Sequence, residues 1–209
     1  MAQVKKEEIR DHILSTAFQM IKEDGYEVMS MRNMASECGV SVSNLYNYFK
    51  NKEAILDELV GGFYVEIMTL SKVNKMKPVS LSQKDYMDYL TEATTILQNY
   101  IVKHKELLYV LIFQTKGSKY ETFCDEMVQR YYDYEIWSVK GAFEGSKIPS
   151  LKGPSRIMLE NLCSSYINLV KFYLKDHRSD EWLEEKVREL NEFVISGLGI
   201  YIKEIINKK

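Results

Sequence analysis

Proline is nearly missing from this chain. Pro78, Pro149 and Pro154 are the only three among 209 residues, and glycine, with ten, is sparse as well. Long stretches therefore run without a helix breaker and without the period-2 alternation of a half-buried strand, which leaves helix as the reading for most of the chain. No run approaches the roughly 18–20 apolar residues that a bilayer span requires. The opening MAQVKKEEIRDHIL is charged and lacks the apolar core of a signal peptide. A cytoplasmic protein with no membrane partner is expected. The three cysteines, Cys38, Cys124 and Cys163, lie far apart, form no CxxC pair and do not cluster with His12, His104 or His177. Neither a disulfide framework nor a zinc site is indicated. No nucleophile elbow, phosphate-binding glycine loop or HExxH motif occurs, so no enzyme and no cofactor are expected.

Positive charge is also lacking. The net charge is −2, and residues 1–60 carry 7 Lys+Arg against 10 Asp+Glu. A nucleic-acid function cannot rest on overall charge and needs local placement. Locally the sign changes: residues 29–52 hold Arg32, Lys50 and Lys52 against Glu37 alone.

What is present is apolar residue in quantity, 45% of the chain, enough for one sizeable core or a small domain joined to a larger one. The first helix is expected over residues 5–23, where Ile9, Ile13, Ala17, Met20 and Ile21 recur at three- and four-residue steps. Asp24-Gly25 ends it. Two short helices follow. Ser30 suits the N-cap of one over 31–37, and Ser41 that of another over 42–48, with Gly39 in the turn between. A longer helix runs from 52 into the low 70s. Loops are expected over 74–82 and 144–153, with helices over 83–103, 105–115, 120–143, 155–175 and 180–206. The fold class is all-α, with about nine helices.

The pair of short helices makes a helix-turn-helix, in which one helix braces another that can enter the major groove. Met34, Ala35, Val40, Leu45 and Phe49 are expected to pack inward. Val42, Ser43, Asn44, Asn47 and Tyr48 then face outward. Asn44 and Asn47 can donate and accept toward base edges, and Val42 can meet a thymine methyl. Tyr46, Tyr48 and Lys52 are placed to reach phosphates. On spacing alone, a short helix pair with buried aromatics serves equally as ordinary core.

Residues 9–56 resemble the N-terminal domain of TetR-type transcriptional repressors. The likeness lies in Ile13, Ala17-Phe18, Gly25-Tyr26 and Ser30-Met31-Arg32-Asn33-Met34-Ala35. It continues through Gly39-Val40-Ser41, Leu45-Tyr46-Asn47-Tyr48-Phe49, Asn51-Lys52-Glu53 and Leu56. Met34 stands where isoleucine or leucine is usual, and Tyr48 where histidine is frequent. The resemblance implies that Ser30 begins the bracing helix, with Arg32 near the DNA backbone and Ser41 opening the reading helix. Val42, Ser43, Asn44 and Asn47 would face bases; Tyr46, Lys52 and Tyr48 would grip phosphates. It implies a DNA-binding domain over residues 1–51, and a ligand-binding and dimerisation domain over residues 52–209.

Beyond residue 60 the likeness is one of layout. It implies a homodimer formed by the last two helices on a palindromic double-stranded operator, released by a small effector. Leu159, Tyr166, Val170, Leu190, Phe193, Val194, Gly197, Leu198 and Tyr201 are the expected dimer residues, with ordinary packing inside one subunit as the alternative. Phe63, Tyr109, Phe113, Trp137 and Tyr166 are the expected pocket lining, for an apolar or aromatic ligand. Gly61-Gly62 marks either a bend that transmits ligand occupancy or a point of close packing. Two other functions stay open: DNA binding outside transcription, as in chromosome organisation, and a helical interaction protein without small-molecule control.

Overall fold

The computed structural model describes the backbone of residues 2–73, 83–142, 154–176 and 178–207, and the side chains of 6–69, 87–88, 90–133, 157–176, 178–197 and 199–200. Among the described residues there are nine helices and no strand. They are α1 (Ala2–Asp24), α2 (Met31–Glu37), α3 (Val42–Tyr46) and α4, which joins Lys52–Leu56, a π-helical turn Asp57–Gly61 and Gly62–Val73. Next come α5 (Gln83–Lys103) and α6, which joins Lys105–Tyr109 to a second π turn, Val110–Gln114. α7 (Phe123–Ala142), α8 (Pro154–Lys175) and α9 (Asp180–Asn207) complete the chain. The expected loops at 74–82 and 144–153 lie outside the described residues.

The chain divides into two compact units, Met1–Ile67 with Glu106–Phe123, and Met68–Lys105 with Cys124–Lys209. In the first, Ile13, Ala17 and Ile21 of α1 are fully buried with Met34, Leu45, Ile55, Leu56 and Val60. The three- and four-residue spacing on α1 places its apolar side chains on one face. α6 belongs to this unit and packs on α1. Gln114 ties them: its Nε2 donates to the carbonyl of Lys22 at 2.9 Å, and its own carbonyl accepts from the Tyr26 N–H at 2.8 Å. An ion pair between Lys22 and Glu106 lies alongside.

In the second unit α5 and α9 pack along one another. Leu90, Leu159, Cys163, Val170, Leu174, Leu183, Val187, Leu190 and Val194 are buried. A polar chain runs through them. The Tyr166 hydroxyl donates to Asn191 Oδ1 at 2.9 Å, and Asn191 Nδ2 donates to the Thr94 carbonyl at 3.1 Å. Tyr166 and Asn191 are both buried, so these bonds replace the water that each polar group gives up.

This arrangement corrects part of the expected dimer face. Leu159, Tyr166, Val170, Leu190 and Val194 point into the unit's own core. They share the spacing of an interface because any helix in a bundle buries such a stripe. The solvent-facing apolar residues are neighbours of these: Ile157, Met158, Leu169 and Phe172 on α8, and Phe193 and Ile200 on α9. Among the described residues, Phe193, 73% exposed, is the one expected large side chain that faces out. Gly197 is exposed, with open space where a Cβ would stand, whereas a Cβ on Gly199 would meet Met87 of α5 at 2.9 Å. The side chains of Leu198 and Tyr201 lie outside the described residues. So does that of Trp137 from the expected pocket. Of the remaining pocket residues, Phe63, Tyr109 and Phe113 fall in the first unit and Tyr166 in the second. Phe63 is buried, and the rings of Tyr109 and Phe113 lie 5.0 Å apart. Tyr166 is buried as well, with its hydroxyl on Asn191.

Candidate nucleic-acid interface

α2 starts at a reciprocal cap. Ser30 Oγ accepts from the Asn33 N–H at 3.2 Å, and Asn33 Oδ1 accepts from the Ser30 N–H at 2.7 Å. Each side chain satisfies a backbone donor that the first helical turn leaves open. Asparagine here replaces the usual glutamate or glutamine, so the pattern was not recognised from sequence. Asn33 Nδ2 also reaches back to the Val28 carbonyl at 3.1 Å.

The turn after α2 closes with the Val40 N–H on the Ala35 carbonyl at 2.9 Å, and Gly39 sits at φ +66°. A side chain at that position would be strained against its own carbonyl. Ser41 then caps α3, its Oγ accepting from the Asn44 N–H at 3.1 Å. The regular helix ends at Tyr46, two residues earlier than expected, because the Tyr48 and Phe49 N–H groups both turn to the Leu45 carbonyl. Asn51 caps α4 through the Ala54 N–H at 2.8 Å.

Burial separates the two faces of the pair. Met34, Ala35, Leu45 and Phe49 are buried, and Val40 is half-buried. Arg10 of α1 lies over the Phe49 ring, 5.3 Å from its centroid, and forms an ion pair with Glu58 of α4. That brace across α1, the Phe49 turn and α4 joins residues 48 positions apart, which local pattern does not reveal. On the other face Ser41, Val42, Ser43, Tyr46 and Asn47 are exposed, and Asn44 and Tyr48 are half-buried. Ser30 and Arg32 of α2 are exposed too. α3 is held by one apolar side chain, Leu45, and by its cap. Every other residue on it is presented at least partly to solvent.

Lys52 departs from the expected set. Its ammonium turns inward, donating to the carbonyls of Tyr26 at 3.0 Å and Met29 at 2.9 Å, with that of Glu27 at 3.4 Å. It lies 4.2 Å from the centroid of the Tyr26 ring. Burial, followed by the nearby carboxylates of Glu53 and Asp57, holds the Tyr26 phenol above its usual range. Lys52 thus engages the protein rather than facing outward as a phosphate grip.

Among the described residues no group of three His, Cys, Asp or Glu side chains is placed to hold a metal ion, and no helix is long and apolar enough to cross a membrane.

Residues 13–59, which contain this arrangement, match the family described as bacterial regulatory proteins, tetR family. The uncharacterized HTH-type transcriptional regulator YerO of Bacillus subtilis is 22% identical over 214 residues, covering 96% of this chain and 71% of YerO. The chain spans between 31% and 71% of the lengths of the curated regulators it matches. Among solved structures, a TetR-family regulator from Syntrophomonas wolfei superposes with a TM-score of 0.57 at 20% identity, covering 92% of this chain and 97% of that one. The regulator FadR from Bacillus subtilis, solved in complex with stearoyl-CoA, gives 0.54 at 18% identity, covering 89% and 97%. The capped helix-turn-helix thus lies at the residues that match the tetR family, and the all-helical fold around it is the fold of the TetR-family structures it resembles.

Proposed function

We propose that this regulator is a repressor that binds a palindromic operator as a homodimer and leaves it when a small apolar or aromatic effector binds. In this reading residues 1–51 read DNA, and residues 52–209 hold the effector and the second subunit. It assigns the chain no catalytic role.

The observation that carries the reading is the outward face of α3. Val42, Ser43, Asn44 and Asn47 suit base edges, and the two asparagines offer paired donors and acceptors. Ser30, Arg32, Ser41, Tyr46 and Tyr48 surround them with groups that suit phosphates. One such head spans too few base pairs to be selective, whereas two set about 34–36 Å apart read a palindrome. The exposed apolar side chains of α8 and α9 support the pairing, since a patch of this kind is covered most simply by its own two-fold copy. For the effector, the support is the fold shared with a regulator that holds stearoyl-CoA, which makes long-chain acyl-CoA the first class to try.

Operator mapping joined to transcription in a purified system tests the proposal. A bound site overlapping a promoter, with transcription blocked by the protein and restored by stearoyl-CoA or by a small apolar or aromatic compound, supports it. Many dispersed sites away from promoters, or no effect on transcription, would count against repression.

A further inference from the structure

We infer that Lys52 is a positioning residue for the reading head, and that its ammonium stays on the protein when the protein is on DNA. This rests on the assignment of α3 as the reading helix. The segment between α1 and α2 has no helical partner for its carbonyls. Four consecutive ones are nonetheless each held by a side chain. Lys52 takes those of Tyr26, Glu27 and Met29, and Asn33 takes that of Val28 at 3.1 Å. An ammonium has three donors, and three carbonyls meet it here. The Tyr26 ring at 4.2 Å covers a further side with its negative face. Moving Lys52 to a phosphate would take its ammonium from the carbonyls of Glu27 and Met29 and leave that of Tyr26 with the Met29 N–H alone, at 3.2 Å.

The placement has a geometric consequence. Lys52 is the first residue of α4, directly after the cap Asn51. The carbonyls it holds lie just before the Ser30 cap of α2. α2 and α3 lie between these two points in the chain, so the pin fixes both ends of the helix-turn-helix to each other. Losing it lets the head populate orientations that do not fit the groove, and apparent affinity falls with the competent fraction. The cations of residues 29–52 that remain for phosphates are Arg32 and Lys50, both exposed.

Salt dependence separates a pin from a grip. Binding of the full-length protein to a duplex selected from a random pool is measured by fluorescence anisotropy over a range of salt, for wild type, Lys52→Met and Tyr26→Leu. A phosphate grip lost from each of two heads lowers the slope of log K against log salt by about 1.8. The pin predicts instead that both variants bind roughly tenfold more weakly at an unchanged slope, with Lys52→Arg recovering part of the loss. A slope that drops in Lys52→Met, or affinity left intact in that variant, overturns the inference. A second measurement needs neither DNA nor a weakened fold. In wild-type protein labelled with nitrogen-15 at lysine, the Lys52 ammonium, assigned from the signal that Lys52→Arg removes, exchanges its protons slowly with water. Rapid exchange would overturn the pin even if no duplex were ever selected.

Discussion

The phenol of Tyr120 donates to Oδ1 of Asp57 at 2.9 Å, and Gly61 lies beneath the same hydroxyl. Asp57 and Gly61 are the two ends of the π turn in α4, and Lys119 bonds the same carboxylate at 2.9 Å. Tyr120 is buried, with its ring edge-on to Tyr64 at 5.1 Å. A Cβ on Gly61 would stand 3.0 Å from the Tyr120 oxygen, while one on Gly62 would meet nothing within 4 Å. Of the two readings of this glycine pair, close packing accounts for Gly61.

The pair therefore separates on mutation. Gly62→Ala gains helix propensity worth about 1 kcal/mol and raises the denaturation midpoint. Gly61→Ala gains the same but crowds a held phenol, at about 1–3 kcal/mol, so it is neutral to destabilising. Tyr120→Phe alone costs about 1 kcal/mol for the lost bond. Gly61→Ala placed on Tyr120→Phe becomes stabilising, because the oxygen it crowded is gone. Additive effects in this cycle would show that Gly61 does not seat the hydroxyl.

Alkaline stability follows from the buried phenols. Burial holds Tyr120 and Tyr166 above their usual value of 10.0, and the Asp57 carboxylate raises Tyr120 further. Above pH 10 the unfolded chain releases these protons while the folded chain keeps them, so stability falls as pH rises. Below pH 10 both states are protonated at these sites and their contribution is level. Tyr166→Phe lowers stability at neutral pH, since Asn191 Oδ1 loses its donor, and flattens the alkaline fall. Urea midpoints between about pH 8 and 11 in wild type and variant check this.

The exposed and buried residues of α8 and α9 give opposite outcomes. Phe193→Glu and Phe172→Glu, at side chains 73% and 65% exposed, split the proposed dimer and leave each subunit folded. Leu190→Glu and Val194→Glu, in the core, unfold the second unit, because an unpaired charge is buried there. Sedimentation and circular dichroism report both. A wild-type protein already monomeric at micromolar concentration contradicts the pairing.

On α3, Asn44→Ala relaxes base preference by about 1–3 kcal/mol at one position of each half-site. Ser41→Ala removes the cap of a five-residue helix, at about 1 kcal/mol, and weakens binding to every sequence alike. Competition with duplexes changed one base pair at a time separates the two effects.

Much of the fold was legible because helices announce themselves locally. The caps at Ser30 and Ser41, the turn at Gly39 and the spacing on α1 are short-range features, and the helices occur where these place them. The outward face of α3 followed from the same periodicity. Lys52 was not legible, since its partners lie 23 to 26 residues away and an isolated lysine reads as a surface charge. The Arg10 brace and the Tyr120 bond to Asp57 are long-range for the same reason. Of the expected dimer residues, Leu159, Tyr166, Val170, Leu190 and Val194 are buried within the subunit, while Phe193 is exposed. A sequence shows which stripe is apolar, but which part of it faces the subunit's own core depends on how α5, α8 and α9 pack.

Selection of bound duplexes from a random pool tests the central claim most directly. If two α3 helices read DNA as a two-fold pair, the enriched sequences share an inverted repeat whose half-sites are spaced by about one helical turn. An enriched pool with no such repeat, or no enrichment at all, would contradict it.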